Sequence, residues 1–274
     1  MTTTASTPTT VPPLRPASVR HGGVTNAISD AMTLIGRSIR LTRRNADTMV
    51  MSVVLPLLMM AMFVFVFGGA ISTGTEYINY VVPGIIILCT GYGASSTAMS
   101  VADDMTSGMI DRLRSLPIRS SAVLVGHVTA SVARNAVATA IVVLAAVGMG
   151  FRPNATFGEW LLFGGLVLLY VLGLTWLAAA FGAVSKSVES AGLFGFVMLF
   201  VPYLSSAFVP TDTMPAFLRP LSEHQPITPV IETVRGLLTG TPIDRGGAAL
   251  AWTVGVLVVA FVVAVRLYRS RTSR

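Results

Sequence analysis

Few side chains in this sequence are equipped for chemistry, and they are scattered. It contains three histidines (His21, His127 and His224), one cysteine (Cys89) and one lysine (Lys186). The histidines fall in an N-terminal tail, an inner-leaflet region and an outer loop, so they cannot share one metal ion. No His-Glu-x-x-His or Cys-x-x-Cys occurs. Lys186 follows no glycine-rich loop, which excludes a Walker phosphate loop. No Gly-x-Ser-x-Gly elbow presents a nucleophilic serine. Glu223 beside His224 is the one pair resembling an acid–base couple, and it suits a polar cap on a loop helix equally well. All twelve acidic residues lie at or beyond the ends of apolar stretches, whereas a proton-driven carrier usually buries one within. Cys89 has no internal partner for a disulfide. These residues predict a chain that binds no cofactor or metal and is not itself an enzyme.

The composition says what the chain is built for. Of 274 residues, 53% are apolar and 11% charged, and the mean hydropathy is +0.73. A soluble domain carries about 25% charge. The net charge is +7, a balance that in a soluble domain would point to nucleic acid. Here 18 of the 19 basic residues are arginine, and they flank apolar stretches, so nucleic acid is not expected. Six stretches (48–75, 77–102, 135–151, 160–185, 190–211 and 246–265) lack Asp, Glu, Lys and Arg entirely. In lipid a backbone must satisfy its own hydrogen bonds, and these stretches lack the alternation of barrel strands, so they read as helices. Six spans are predicted, near 50–70, 79–101, 131–150, 160–183, 191–210 and 248–267. Fourteen basic residues fall on the side of the two termini and four on the other, with Arg134 set aside at a span edge. That bias predicts a multi-pass membrane protein with both termini in the cytoplasm. Residues 1–25 are rich in Thr and Pro, have no apolar core, and read as a disordered cytoplasmic tail rather than a signal peptide. The main body covers 26–270, and 271–274 form a second short tail. No internal repeat is visible.

Three segments are not simple spans. Over 27–45, Ile28, Met32, Ile35 and Ile39 keep helical spacing, and Thr33, Arg37, Arg40 and Arg44 keep it on another face. With Arg43 beside them, they predict an amphipathic interfacial helix lying at the lipid headgroups; the alternative is a solvated basic flank. Between spans 2 and 3, Met105, Met109, Leu113 and Leu116 give a short helix one apolar edge. Asp104, Asp111, Arg112 and Arg114 supply charge elsewhere, Gly108 permits close approach, and Pro117 ends the helix. That pattern suits a docking helix or a charged turn between two spans. In 210–246, Thr213 is placed to cap a helix over Met214 to Leu218, His224-Gln225-Pro226 to break it, Thr228 to cap a second helix beginning at Pro229, and Gly240 to end that one. Two short re-entrant helices dipping into the outer membrane face are expected, an ordered external loop being the alternative.

In order along the chain, these features resemble the ABC-2 permeases, in particular the daunorubicin-resistance subgroup. The resemblance covers roughly residues 25–270. It is carried by Tyr203, Pro210, Pro215, His224-Gln225-Pro226, Arg235-Gly236 and Gly240, and by Gly108, Asp111-Arg112-Leu113 and Leu116-Pro117. It implies an all-α, six-span subunit pairing with a second copy or a similar permease. A separate cytoplasmic ATPase subunit would hold ATP and Mg2+, and the cargo would be hydrophobic drugs or lipids moved outward through the membrane. It also implies that Asp104 to Pro117 is the coupling element. Spans 2 and 5 carry small and polar residues, among them Ser95, Ser96, Ser205 and Ser206. These suit a pore lining or close helix packing equally. A channel or ion-coupled carrier without an ATPase is the alternative function, but neither inverted repeats nor buried charge support it.

Overall fold

The computed structural model describes residues 46–71, 73–107 and 120–272, and among these it contains helices and no strands. Helix α1 (Ala46–Ala61) continues as a π-helical turn, Met62–Phe67. Then come α2 (Tyr77–Thr106), α3 (Ser120–Gly148), α4 (Phe157–Val184) and α5 (Val188–Phe200). After two 3-10 turns, Val201–Leu204 and Thr211–Thr213, follow the short α6 (Arg219–His224) and α7 (Ile227–Thr239), and the long α8 (Gly246–Thr272).

Local chemistry sets several boundaries. A reciprocal capping box starts α4: the Glu159 amide donates to Thr156 Oγ1 at 3.4 Å, and the Thr156 amide donates to Glu159 Oε2 at 2.6 Å. Ser187 and Ser190 cap α5 in the same reciprocal way. Gly240 ends α7 at φ +73°, a left-handed conformation that disfavours a Cβ.

Among the described residues, five helices are long and apolar enough to cross a membrane: Val50–Phe67, Tyr77–Thr106, Val123–Gly148, Phe157–Val184 and Gly246–Tyr268. Helix α2 is the centre of the bundle, packed on α1, α3, α4, α5 and α7. In its apolar stretch 72% of the residues are buried, against 17% for α1 and 22% for α8. Close approach is achieved through small residues. A Cβ on Gly182 of α4 would run into the Ala98 carbonyl of α2, and one on Gly84 of α2 would sit 2.7 Å from Ala207 Cβ.

Four expectations need correction. The fifth predicted span, 191–210, is helical only from Val188 to Phe200 before tightening into 3-10. Ser205 Oγ donates to the Pro202 carbonyl and accepts from the Ala207 amide at 3.2 Å, local bonds that compete with a continued helix. Helix α3 begins at Ser120, well before the predicted 131, so Arg134 lies inside it. The first short helix after α5 is Arg219–His224 and not Met214 to Leu218, because Thr213 Oγ1 turns back to the Pro210 carbonyl at 2.7 Å. Helix α7 starts at Ile227, ahead of Pro229, and Thr228 does not cap it: its hydroxyl donates to the Ser222 carbonyl at 2.6 Å.

Candidate functional site

One end of the bundle carries a cap built from residues 201–245, and Arg235 is its centre. Arg235 lies on α7 and donates through Nε to the Tyr80 carbonyl at 3.1 Å and through Nη2 to the Ser206 carbonyl at 2.7 Å. Its guanidinium also sits 3.8 Å from the centre of the Tyr80 ring, within cation–π range. One side chain therefore ties α7, the start of α2 and the segment after α5. Thr228 adds a second knot, accepting from the Ser206 amide at 3.4 Å. The Tyr77 hydroxyl donates to the Phe208 carbonyl at 3.0 Å, and the Asn154 amide donates to the Leu238 carbonyl at 2.8 Å. Gln225 donates to the Leu204 carbonyl. Gly236 makes room for Ile243, and Pro226 occupies the position before α7. Pro210 precedes the Thr211–Thr213 turn, and the Pro215 carbonyl accepts from the Leu218 amide at 2.9 Å. Of the predicted residues of this segment, Arg235 and Gln225 make long-range bonds, whereas Pro210, Pro215 and His224 make local turn contacts.

Glu223 and His224 do not pair with each other. Glu223 takes the Arg219 Nε–H at 2.8 Å, one helical turn away, and this bond holds its carboxyl below the usual range. His224 donates from Nδ1 to the Pro220 carbonyl at 2.9 Å. The arrangement is that of helix ends and not of an acid–base couple.

The far end of the bundle is polar in a different manner. Asp104 on α2 is 8% exposed and accepts from His127 Nε2 on α3 at 2.7 Å. Met105 packs on a small apolar cluster that includes Val101, Leu124, Val128, Trp176 and Tyr268. Arg134 of α3 donates to Ser96 Oγ of α2, and Gly93 leaves room for the Asn135 carboxamide. Ser95 packs against Gly195 of α5, where a Cβ would come within 2.6 Å of it. Ser205 and Ser206 are buried within the cap. Gly108, Met109, Asp111, Arg112, Leu113, Arg114, Leu116 and Pro117 lie outside the described residues, as do Arg37, Arg40, Arg43 and Arg44.

Helix register gives the far end its shape. The Cys89 thiol of α2 reaches the Ser52 carbonyl of α1 at 3.5 Å, which levels the two helices. Helix α3 returns alongside α2 and carries His127.

Among the described residues no group of His, Cys, Asp and Glu is placed to hold a metal. Among the described residues the molecule offers an all-helical membrane body, capped at one end. Comparison with known proteins agrees with that class. Residues 30–239 match the family model of the ABC-2 type transporter, and the chain belongs to this family as the membrane subunit of an ATP-binding-cassette exporter. It is 28% identical over 252 residues to the daunorubicin resistance ABC transporter permease protein DrrB1 of Streptomyces coeruleorubidus, covering 90% of this chain and 88% of that one. It is 26% identical over 243 residues to the probable doxorubicin resistance permease DrrC of Mycobacterium tuberculosis, with 85% and 86% covered. The inner membrane transport permease YadH of Escherichia coli is 28% identical over 224 residues, with 78% and 84% covered.

Proposed function

We propose that this chain exports hydrophobic small molecules as one half of a permease pair, driven by a separate cytoplasmic ATPase subunit that holds ATP and Mg2+. The partner permease is a second copy or a similar chain. Both termini are cytoplasmic, and the cap faces outward. The short apolar segment Val188–Leu204 completes the six spans as the fifth in order, with α6 and α7 forming the cap at the outer membrane face. Residues 27–45 lie along the inner membrane surface. Drugs of the kind named in two of the relatives are the favoured cargo, and lipids are the second class.

The observation that supports this reading is the Asp104–His127 bond at 2.7 Å. It ties α2 to α3, the two helices on either side of the proposed coupling segment 104–117, and Met105 packs the same end of α2 against the cluster that holds Trp176 and Tyr268. Movement of that segment by the ATPase is then transmitted directly to α2, the helix that every other span except α8 packs against. Switching between inward- and outward-open arrangements follows from biasing one two-state element.

Leu113→Asp removes an apolar anchor and Gly108→Trp adds bulk, so each should release or uncouple the ATPase, while Arg114→Lys stays mild. Truncating a buried anchor typically costs about 2 kcal/mol or more of binding. The readouts are co-purification of the ATPase and cargo-stimulated ATP hydrolysis. Wild-type values for both variants in folded protein would refute the assignment.

A further inference from the structure

Six aromatic rings form a continuous line from the middle of α5 to the end of α1 nearest the cap. Phe196 and Phe200 are 4.7 Å apart between centroids, and Phe200 and Tyr203 are 6.1 Å apart. Tyr203 stacks on Phe208 at 4.7 Å, and Phe208 stacks on Phe63 at 4.2 Å. Phe63 in turn lies 5.6 Å from Phe67. All these separations are those of interacting aromatic pairs. Phe208 is buried, whereas Phe196 is 61% exposed, Phe200 50%, Tyr203 36% and Phe67 40%. The line therefore shows ring surface along most of its length. The Tyr203 hydroxyl donates to Met59 Sδ at 3.2 Å, which turns its one polar atom toward α1.

Two further observations separate this line from an ordinary lipid-facing surface. Both backbones change pitch along it: α1 widens to a π turn at Met62–Phe67, and α5 tightens to 3-10 at Val201–Leu204. Such π segments often mark functional sites. The composition also differs from that of α8, where five of the eight exposed large residues are valine (Val254, Val258, Val259, Val262 and Val263) and the two exposed rings, Trp252 and Phe261, are not stacked on each other. Saturated lipid tails gain nothing from a ring that valine or leucine would not give. A planar aromatic molecule does, because offset-stacked and edge-on arrangements add attraction beyond the apolar area covered.

We infer that this aromatic line is a cargo-binding track that selects planar polycyclic molecules over non-planar apolar ones. The inference rests on the drug-export reading and narrows it to a class of shape. A flat cargo exchanges one ring partner for the next between Phe196 and Phe67, so no single contact must be broken before another forms. Phe196 and Phe200 are the selecting positions, because their rings are the free ones on α5. Phe63, Tyr203 and Phe208 are positioning residues that hold the line in register with the cap.

The test uses the permease with its ATPase in proteoliposomes, with daunorubicin as planar probe and erythromycin as non-planar probe. Phe196→Leu combined with Phe200→Leu keeps an apolar surface and removes two rings. The ratio of daunorubicin to erythromycin transport should fall at least tenfold, and Phe196→Tyr with Phe200→Trp should restore it. In the ring-retaining variant, daunorubicin should also quench fluorescence from the new Trp in the purified complex, an equilibrium measurement independent of turnover. An unchanged ratio in the leucine variant overturns the track while leaving drug export intact. So does an equal loss of both probes, which would assign the rings a purely structural role. A wild-type complex that moves neither probe overturns the drug-export reading and the track with it.

Discussion

At the cap end, Arg235 donates to the carbonyls of Tyr80 and Ser206, and Tyr77 donates to that of Phe208. At the far end, Asp104 meets His127, and Arg134 meets Ser96, side chain to side chain. The acceptors differ in kind. A backbone carbonyl cannot rotate away without moving its chain segment, so the cap's bonds fix the segments relative to one another. Bonds between side chains can be exchanged by rotamer changes while the helices slide. The comparison teaches where a switching bundle keeps its fixed frame and where it has freedom to move.

The hardest way to break this contrast is Arg235→Ala. It takes one donor from each of two carbonyls and removes the guanidinium from the Tyr80 ring. The Ser206 carbonyl loses a buried partner at about 1–3 kcal/mol, while the Tyr80 carbonyl keeps its helical bond and loses the cation–π contact beside it, so a loss of about 3 kcal/mol is expected in thermal unfolding of the purified protein. Arg235→Lys should recover less than half, since one ammonium cannot reproduce the guanidinium fork. Full rescue by lysine would mean that charge alone, and not the two-carbonyl clamp, holds the cap.

At the far end, Asp104→Ala should cost about 1–2 kcal/mol in the same measurement, the range for removing one partner of a charge-assisted bond. Asp104→Asn keeps an acceptor for His127 and should cost less than half of that. A loss at Asp104 as large as that at Arg235 would erase the distinction between the two ends.

The smallest effect belongs to the cap's surface. The bond from Arg219 holds the Glu223 carboxyl below its usual range, so its contribution is present above the unfolded pKa and disappears as pH falls through the folded one. The unfolded value is about 4.3. Glu223→Gln should therefore lower Tm slightly at neutral pH, with the difference from wild type shrinking as pH falls below the ordinary carboxylate range. A difference that persists in acid would show that shape rather than charge matters at this pair.

The membrane body was legible because charge is excluded from lipid, so gaps between arginines mark helices directly. That ruler failed where helices leave the lipid. Helix α3 starts at Ser120, about three turns before the predicted 131, and so takes in His127 as well as Arg134. It failed again in α5, where Pro202 and Ser205 form local bonds that hydropathy does not register. The start of α4 was open to reading: Thr156 and Glu159, three apart ahead of an apolar run, are the signature of a capping box. Arg235 was picked out by the family pattern, but its role was not readable. Its partners are main-chain carbonyls 155 and 29 residues away, and main-chain atoms leave no trace in side-chain spacing. The aromatic line is likewise assembled from two segments more than a hundred residues apart.

The burial of α2 has a consequence for how the protein is made. The ribosome delivers this helix after α1, carrying Thr90, Ser95, Ser96, Thr97 and Ser100, but four of the helices that pack on it, α3, α4, α5 and α7, emerge later. Until they arrive, its hydroxyls must be screened by the insertion machinery or turned back onto its own carbonyls, as Thr90 does to Ile87 and Ser100 to Ser96. A chain halted after α3 would leave the most interior helix of the finished molecule on the outside, so a nascent permease completes its centre only as its later spans are delivered.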